Sequence, residues 1–234
     1  MINQEVNSTN NANSLHRILK TDIKKDPSIY EDEIIFGCGC FWVAEKCFCK
    51  LPGVVTTSVG YAGGEKNDPT YYEVCSGLTG HSEVVRVIWD KREIDISDLL
   101  KMFWECHDPT QKNRQGNDMG TQYRSAIYYK NEKNIKTILA SKEQYQTELS
   151  KINLGLIKTE IKMIDSYFYA EQYHQQYLAS AGSRQYCSAS PTKVKLGVFT
   201  GSNYKLEDHI WENFNWEVDK CVLRSDNNPI KNNI

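Results

Sequence analysis

Residues 37–45 read G-C-G-C-F-W-V-A-E. The short apolar run before them, residues 34–36, predicts a buried strand, and the residues after them suit a helix. Cys40 is therefore predicted at a turn from strand to helix, where unpaired N–H groups and the helix dipole favour the thiolate. Phe41 and Trp42 place an apolar wall beside the sulfur, which indicates chemistry on a small apolar group.

Length, charge and cysteine content limit the class of protein. The chain has 234 residues, enough for one domain with a sizeable core, and its net charge of −2 gives no reason to expect nucleic acid or an acidic membrane as partner. It has no apolar run of about 18 residues that would span a bilayer, and its first residues lack the pattern of a secretory signal. Eight cysteines in such a chain are expected to be thiols, which predicts a reducing, cytoplasmic location.

The two ends differ in composition from the centre. Residues 1–28 are polar and rich in Asn, and residues 224–234 are similar, so both are expected to be disordered. Residues 29–223 are expected to form a single domain. From about residue 188 this domain has a C-terminal extension, whose many apolar side chains predict that it packs back on the rest.

Hydrophobic periodicity predicts strands at 34–36, 54–61, 83–89, 125–129 and 157–163. It also predicts three helices: one at 41–50, one that begins after an N-cap at Ser97, and one at 131–152. The order β-α-β-β-α-β, then α-β, predicts an α+β fold. We expect a two-layer sandwich with a ferredoxin-like core and long irregular loops.

Four cysteines near residues 37–45 raise the alternative of a metal site, since Cys38, Cys40, Cys47 and Cys49 form two C-x-C pairs. Seven helical residues rise about 10 Å, whereas sulfurs on one tetrahedral zinc ion lie under about 4 Å apart. If residues 41–50 are helical, Cys40 and Cys47 cannot share an ion. A non-catalytic zinc-binding or interaction module remains an alternative, and metal analysis would identify it. A general thiol–disulfide oxidoreductase is a further one, although the chain lacks the C-x-x-C motif.

Glu83 begins a strand that is otherwise apolar. A carboxylate in such a position is either paired with a cation or kept protonated by burial. Strand alternation places Arg86 on the opposite face, which disfavours pairing with it. A neutral carboxyl group can act as a general acid, and a purely structural carboxylate is the alternative.

Long loops at residues 60–80 and 107–122 are rich in Gly, Asn, Asp and Tyr, which is typical of functional segments. His174, between Tyr173 and Tyr177, is by itself better explained as structural. Cys187 lies in a polar stretch where a mobile thiol can reach back to Cys40, and an ordinary surface thiol is the alternative.

Taken together, these segments resemble the methionine sulfoxide reductase A family, the peptide-methionine (S)-S-oxide reductases. The resemblance runs from about residue 34 to residue 187. It rests on G-C-F-W at 39–42, G-Y-A-G-G at 60–64, P-T-Y at 69–71, E-V-C-S-G-L-T-G-H-S-E at 73–83, F-W-E-C-H-D-P-T-Q at 103–111, R-Q-G-N-D-M-G-T-Q-Y-R-S at 114–125 and H-Q-Q-Y-L at 174–178. Val43 departs from the Gly that often follows the aromatic pair.

The resemblance implies a role for each matched residue. Cys40 would be the nucleophile that attacks the sulfoxide sulfur, Glu83 the acid that protonates its oxygen, and Cys187 the resolving cysteine. Phe41 and Trp42 would form the wall that receives the methyl group. Tyr71 and Tyr123 would donate hydrogen bonds to the oxygen, and Asp118 would contact the substrate backbone or a water.

The resemblance also implies the reaction and its partners. Methionine (S)-sulfoxide, free or in proteins, would be reduced through a sulfenic acid and a disulfide, in the repair of oxidised proteins. Thioredoxin or a similar dithiol would be the reductant, and no organic cofactor or metal is needed. We expect a monomer that binds neither nucleic acid nor membrane. Cys221 is either a second recycling thiol or a bystander, and we favour the bystander.

Overall fold

The computed structural model describes residues 14–218 and 221–232. The strands are β1 Glu31–Cys38, β2 Val54–Ala62, β3 Ser82–Asp90, β4 Arg114–Gln115, β5 Asp118–Met119, β6 Ser125–Tyr129, β7 Glu160–Met163 and β8 Tyr167–Tyr169. The α-helices are α1 Phe41–Cys49, α2 Tyr71–Cys75, α3 Ile96–Glu105, α4 Ile135–Lys151, α5 Asp208–Glu212 and α6 Cys221–Arg224. Short 3₁₀ turns occupy Thr121–Tyr123, Glu132–Asn134 and Tyr177–Ala179.

Six strands form one sheet in the order β7-β6-β1-β3-β2-β8, and β4 pairs separately with β5. Within the six-stranded sheet, β1 is antiparallel to β3 and β6, and β2 is antiparallel to β3 and β8. Only β6 and β7, of the pairs described, run parallel. The mixed α+β class expected from the sequence is therefore confirmed.

The main core lies between one face of this sheet and the helices. Phe36 of β1 stacks on Phe48 of α1 and on Phe103 of α3, with ring centroids 4.8 and 5.1 Å apart. A smaller apolar cluster that includes Ile35 and Tyr128 covers the other face. All nine residues of β3 are buried, as its continuous apolar run predicts for a strand covered on both faces.

Two helix starts differ from the sequence-based expectation. The N-cap of α3 is Asp95 and not Ser97, because Asp95 accepts the backbone N–H of Ser97 and forms a reciprocal capping box with Asp98. The helix predicted at 131–152 begins as a 3₁₀ turn and becomes α-helical at Ile135.

Periodicity missed five short features: α2, α5, α6, β8 and the β4–β5 pair. Each has two to five residues, too few for a hydrophobic repeat to emerge. The structure instead defines α2 by a capping box, in which Thr70 and Glu73 exchange side-chain and backbone hydrogen bonds.

Both ends expected to be disordered have described parts that pack on the domain. His16 is fully buried and contacts Thr57 Oγ1 through Nε2 at 2.8 Å, and Ile23 is 2% exposed. At the other end, Lys50 Nζ donates to the carbonyl oxygens of Asp226 and Asn228. These few contacts could not be predicted from composition, because the average of each segment is polar. Residues 1–13 and 233–234 lie outside the described part of the chain.

Within the described residues, no helix is both long and apolar enough to cross a bilayer.

Candidate active site

Cys40 is the N-cap of α1, directly after the turn that ends β1. Gly39 makes this turn with a φ of 89°, and a Cβ there would lie 2.6 Å from the Cβ of Gln115. Glycine is therefore required at this position both for the backbone conformation and for the close approach. The strand-to-helix turn predicted from the sequence is present.

Glu83 lies beside the start of α1, because β3 runs next to β1 in the sheet. Its Oε2 accepts the backbone N–H of Phe41 at 3.1 Å, and the side chain is buried. Arg86 pairs instead with Glu33 at 2.6 Å, so Glu83 is left without an ion pair among the described residues. Burial raises the pKa of Glu83 to about 8, the Phe41 N–H acts in the opposite direction, and the Asp118 charge raises it further. Glu83 is therefore mostly protonated at neutral pH.

The protonation of Cys40 differs from the sequence-based expectation. Burial raises the pKa of the Cys40 thiol well above its ordinary value, and the neighbouring Glu83 charge adds to this effect. The N–H of Trp42 in the first turn of α1 lowers the pKa, as a helix N-terminus should, but it is outweighed. The sulfur is therefore predominantly a thiol: the helix start favours the thiolate, as the sequence predicts, but burial outweighs this effect.

An aromatic wall borders the thiol. The Trp42 ring stacks on Tyr177 with centroids 4.0 Å apart, and its Nε1–H donates to Nδ1 of His174 at 3.1 Å. The His174 ring also lies 5.2 Å from the ring of Phe41. Burial lowers the pKa of His174 to about 4, so its neutral ring can accept this hydrogen bond. His174 thus supports the wall, which agrees with its structural interpretation.

Two phenols face the same space. Tyr71 begins α2, where its backbone N–H donates to Glu171 Oε1 at 2.8 Å, and Tyr123 ends the 3₁₀ turn Thr121–Tyr123. Burial, followed by other influences that include the Glu83 charge, raises the pKa of both phenols. Both side chains therefore remain hydrogen-bond donors at physiological pH.

Asp118 is tied to the C-terminal segment. Its Oδ1 accepts the Tyr186 hydroxyl at 2.7 Å, and its Oδ2 accepts the Ser188 hydroxyl. These two contacts hold residues 186–188 against strand β5, which begins at Asp118.

A cavity of about 190 Å³ joins these groups. It brings together every site residue expected from the sequence except Cys187, and it adds Arg184 and Tyr186. The lining residues are Cys40, Phe41, Trp42, Tyr71, Glu83, Asp118, Tyr123, Arg184 and Tyr186. Sequence reasoning missed the last two, although their position directly before Cys187 was the available signal.

Cys187 lines a neighbouring cavity of about 260 Å³, which also contains Cys106 and Cys221. It is close enough to influence the Cys40 thiol, because a negative charge on Cys187 would raise the pKa of Cys40. All eight cysteines are thiols in this structure.

Among residues 14–218 and 221–232, one cluster has donor atoms close enough together to be considered as a metal site, and it differs from the C-x-C pairs considered above. Atoms of Cys38, Cys106 and His107 lie within 4.8 Å of one another in the core. However, His107 Nδ1 donates to the Phe103 carbonyl and Nε2 contacts Ser125 Oγ, both at 2.7 Å. Because both ring nitrogens are engaged, the cluster fits core packing better than a metal site.

The geometry suits reduction of a small oxygen-bearing group. A thiol lies at one side, a protonated carboxyl group and two phenol donors can hold an oxygen, and an aromatic wall can receive an apolar substituent. A family model described as "Peptide methionine sulfoxide reductase" matches residues 32–204.

The chain belongs to this family.

Curated relatives agree with the assignment to the peptide methionine sulfoxide reductases. The chain is 52% identical over 180 residues to "Peptide methionine sulfoxide reductase MsrA" of Vibrio vulnificus, which covers 77% of this chain and 86% of the relative. It is 55% identical over 164 residues to the protein of the same name from Azotobacter vinelandii, covering 70% and 76% respectively.

Solved structures agree as well. Methionine sulfoxide reductase A of Corynebacterium diphtheriae is similar with a TM-score of 0.63 and 42% identity, covering 70% of this chain and 80% of that one. The reduced form of Mxr1 from Saccharomyces cerevisiae gives a TM-score of 0.65 at 34% identity, covering 71% and 93%. The family and the reductase activity expected from the sequence are confirmed.

The raised pKa of Glu83 predicts a pH-dependent effect of Glu83→Gln on stability. The pKa of Glu83 is about 4.5 in the unfolded chain and about 8 in the folded protein, so folding favours the protonated carboxyl group. The wild-type protein therefore loses stability as the pH rises through this interval. Glutamine mimics the neutral acid and can still accept the Phe41 N–H. We expect the melting temperature of Glu83→Gln, relative to wild type, to increase between pH 5 and pH 8.5. Buried Glu45 is common to both proteins and its titration cancels in the comparison. If the melting temperatures of the two proteins instead change in parallel between pH 5 and pH 8.5, the protonated state of Glu83 is contradicted.

Proposed function

We propose that this chain converts methionine (S)-sulfoxide, free or in proteins, to methionine through a sulfenic acid on Cys40. The observation that carries this proposal is the shared cavity of Cys40 and Glu83, in which Glu83 is bonded to the N–H of the residue after Cys40. A nucleophilic sulfur and a proton donor thereby line the same small space.

The substrate is proposed to enter with its S-methyl group against Phe41 and Trp42. The sulfoxide oxygen then points toward Glu83, Tyr71 and Tyr123, each of which can donate a hydrogen bond. When the methyl group and the oxygen are fixed and the rest of the side chain must leave through the mouth of the cavity, the lone pair at the chiral sulfur has one position, which favours one epimer. We assign the S epimer because the resemblance to the (S)-S-oxide reductases implies it.

The first chemical step transfers the oxygen to Cys40. The Cys40 sulfur attacks the sulfoxide sulfur while Glu83 protonates the oxygen, which turns a poor electrophile into a better one. The oxygen then passes to the cysteine sulfur: a bond from the Cys40 sulfur to oxygen forms, and the new sulfur–sulfur bond and the original sulfur–oxygen bond break. Cys40 is left as a sulfenic acid, and methionine is released. The sulfoxide gains two electrons, the cysteine sulfur loses two, and the thiol proton replaces the one that Glu83 donates.

The protonated form of Glu83 serves this step in two ways. It supplies the proton, and it presents no negative charge to the developing thiolate of Cys40. An ionised Glu83 does neither, since its charge raises the pKa of Cys40. Activity is therefore proposed to decline above about pH 8.

Cys187 is proposed to resolve the sulfenic acid. The Cys187 sulfur attacks the Cys40 sulfur and displaces its hydroxide, which leaves as water after taking up the thiol proton. A Cys40–Cys187 disulfide is formed. Thioredoxin or a similar dithiol then opens this disulfide by exchange. Cys221 lines the same cavity as Cys187, so a second exchange onto Cys221 is the alternative to its role as a bystander.

Several further expectations stay predictions of the sequence. They are the cytoplasmic location, the monomeric state, the absence of nucleic-acid and membrane partners, and residues 29–223 as one catalytic domain. The ferredoxin-like core is supported by the order of the four central strands, β6-β1-β3-β2, which are all antiparallel.

We expect Cys40→Ser to abolish reduction of methionine (S)-sulfoxide, because serine cannot accept the sulfoxide oxygen. Cys49→Ala, which alters a buried thiol at the other end of α1 and outside the lining of this cavity, is the matched control and should retain activity. Methionine formation by chromatography measures both. Normal turnover by Cys40→Ser would refute the proposed nucleophile.

Glu83→Gln should slow sulfenic acid formation by about 100- to 10,000-fold, the usual contribution of a general acid. Substrate binding should change much less, and the loss should shrink at low pH as solvent protons substitute for the missing acid. Rapid-quench measurement of methionine released in a single turnover isolates this step. An unchanged rate would leave Glu83 without its proposed acid role.

Cys187→Ser should release one methionine per enzyme but fail to cycle with thioredoxin, because the disulfide cannot form. Mass spectrometry of wild type after one turnover without reductant should find Cys40 joined to Cys187. Full cycling by the variant, or a disulfide from Cys40 to Cys221, would move the resolving role away from Cys187.

A further inference from the structure

The N-terminal segment, residues 14–25, reaches the aromatic wall although it has no part in the proposed reaction. His16 of this segment is fully buried, and its Nε2 lies 2.8 Å from Thr57 Oγ1 on β2. Ile18 of the same segment lines a small crevice together with Trp42. Because Trp42 also lines the cavity that contains Cys40, its ring borders both the segment and the active site.

The hydrogen bonds of His16 show which ring nitrogen carries the proton. Burial lowers the pKa of His16 to about 3, and the charge of Lys20 adds to this effect, so the ring is neutral at physiological pH. Nδ1 accepts the backbone N–H groups of Ile18 and Leu19 at 3.2 and 3.0 Å, and it therefore has no proton. The proton lies on Nε2, which donates to Thr57 Oγ1.

Thr57 connects His16 to a buried carboxyl group. Its hydroxyl donates to Glu45 Oε1 at 3.1 Å, which agrees with its role as acceptor from His16. Glu45, on α1, also accepts the side-chain and backbone N–H groups of Gln176 at 2.7 and 2.8 Å. Gln176 Oε1 in turn accepts the backbone N–H of Arg17 at 3.2 Å. These five residues form one hydrogen-bonded network, which starts and ends on the N-terminal segment.

Gln176 is the point at which the network meets the aromatic wall. Its φ of 48° and ψ of 43° are left-handed, a conformation that a side chain makes unfavourable. The hydrogen bond from its N–H to Glu45 holds the backbone there. Gln176 lies between His174, which accepts the Trp42 Nε1–H, and Tyr177, which stacks on the Trp42 ring. The turn at Gln176 therefore determines where both supports of the Trp42 ring lie.

Burial makes the network sensitive to the loss of any member. His16, Glu45 and Gln176 are fully or almost fully buried. Removal of one partner leaves a buried polar atom without a hydrogen bond, and the surrounding structure relaxes to relieve this cost. The backbone of Gln176 is already in an unfavourable conformation, so this turn is the part of the network that changes most readily.

We propose that His16 is a positioning residue, which sets the place of the Trp42 ring through the hydrogen-bonded network. The N-terminal segment is thereby part of the structure that selects an S-methyl group over a larger S-alkyl group. One methylene in an apolar pocket changes kcat/KM by about 10- to 200-fold, so this selectivity reports how firmly the wall is held. The inference rests on the proposed function, in which the methyl group lies against Phe41 and Trp42.

Two pairs of variants separate the network from the local turn around His16. In His16→Gln the side-chain amide can still donate to Thr57. In His16→Asn the shorter side chain can accept the N–H groups of Ile18 and Leu19 but cannot reach Thr57. Thr57→Ser and Thr57→Val form the second pair, because only serine keeps the hydroxyl that joins His16 to Glu45.

Thr21→Val is the control for stability. It removes the hydrogen bond from Thr21 Oγ1 to the Val55 carbonyl, a further contact of the N-terminal segment with β2, and leaves the network intact. Each variant is assayed with the S epimers of methionine sulfoxide and ethionine sulfoxide, which differ by one methylene, and with dithiothreitol as reductant. The ratio of the two kcat/KM values is the methyl selectivity, and melting temperatures are measured in parallel.

We expect His16→Asn and Thr57→Val to lower the methyl selectivity by about threefold or more, because a displaced Trp42 ring admits the larger group. His16→Gln and Thr57→Ser should keep most of the selectivity. The double variant His16→Asn/Thr57→Val should lose no more than either single variant, since both break the same connection. Thr21→Val should lower the melting temperature and leave the selectivity unchanged.

The indole N–H signal of Trp42 in the NMR spectrum of isotope-labelled protein is a readout that does not depend on activity. Trp42→Phe identifies the signal by its absence. In the wild type the hydrogen bond to His174 slows exchange of this proton with water. His16→Asn and Thr57→Val should shift the signal and speed the exchange, whereas Thr21→Val should do neither.

The outcomes distinguish this inference from the proposed function. An unchanged methyl selectivity or an unchanged Trp42 signal in His16→Asn overturns the positioning role. Equal changes in Thr21→Val overturn it as well, because they assign the effect to stability. If the wild type reduces neither sulfoxide, the proposed function fails, and the Trp42 signal alone then decides whether His16 positions the ring.

Discussion

The hydrogen bond from the Phe41 N–H to Glu83 Oε2 is the constraint on which the site depends. It joins the first residue of α1 to the second residue of β3, and thus fixes the start of the helix against the centre of the sheet. Cys40 precedes Phe41, so the same contact sets the position of the proposed nucleophile relative to the proposed acid. The tight turn at Gly39 and the burial of β3 leave little freedom for either group. Scaffold rigidity is therefore transmitted directly to the reacting atoms.

Burial determines the protonation state of both Glu83 and Cys40, because it destabilises the charged form of each side chain. The environment that keeps Glu83 protonated also keeps Cys40 as a thiol, because a low-dielectric site disfavours each anion. The N–H groups of Phe41 and Trp42 offset this effect only in part. Both groups therefore keep their protons, and in the proposed mechanism the reactivity of the site depends on a substrate oxygen that can accept the proton of Glu83. Such a thiol is protected from indiscriminate oxidation, since thiolates are the reactive form.

The sequence predicted those parts of the fold that have long, regular hydrophobic patterns. Strands β1, β2, β3 and β6 and helices α1 and α4 were placed within a few residues. The turn at Cys40 followed from the same patterns. Short elements such as α2 and β8 carry no repeat, and they depend on capping or on pairing with distant strands. The buried anchors His16 and Ile23 were hidden because two side chains do not change the polar average of residues 1–28. The protonation of Cys40 was not predictable from local sequence, because burial and Glu83 arise from the tertiary fold.

The C-terminal segment connects substrate recognition to recycling. Cys187 lies between Tyr186 and Ser188, the two residues whose hydroxyls bind Asp118. Arg184 and Tyr186 line the substrate cavity, whereas Cys187 lines its neighbour. A shift of Cys187 toward Cys40 must therefore move the residues that form the mouth of the cavity and hold Asp118. This coupling suits the proposed reaction, in which Cys187 acts only after the oxygen has been transferred and the cavity no longer has to hold the sulfoxide side chain.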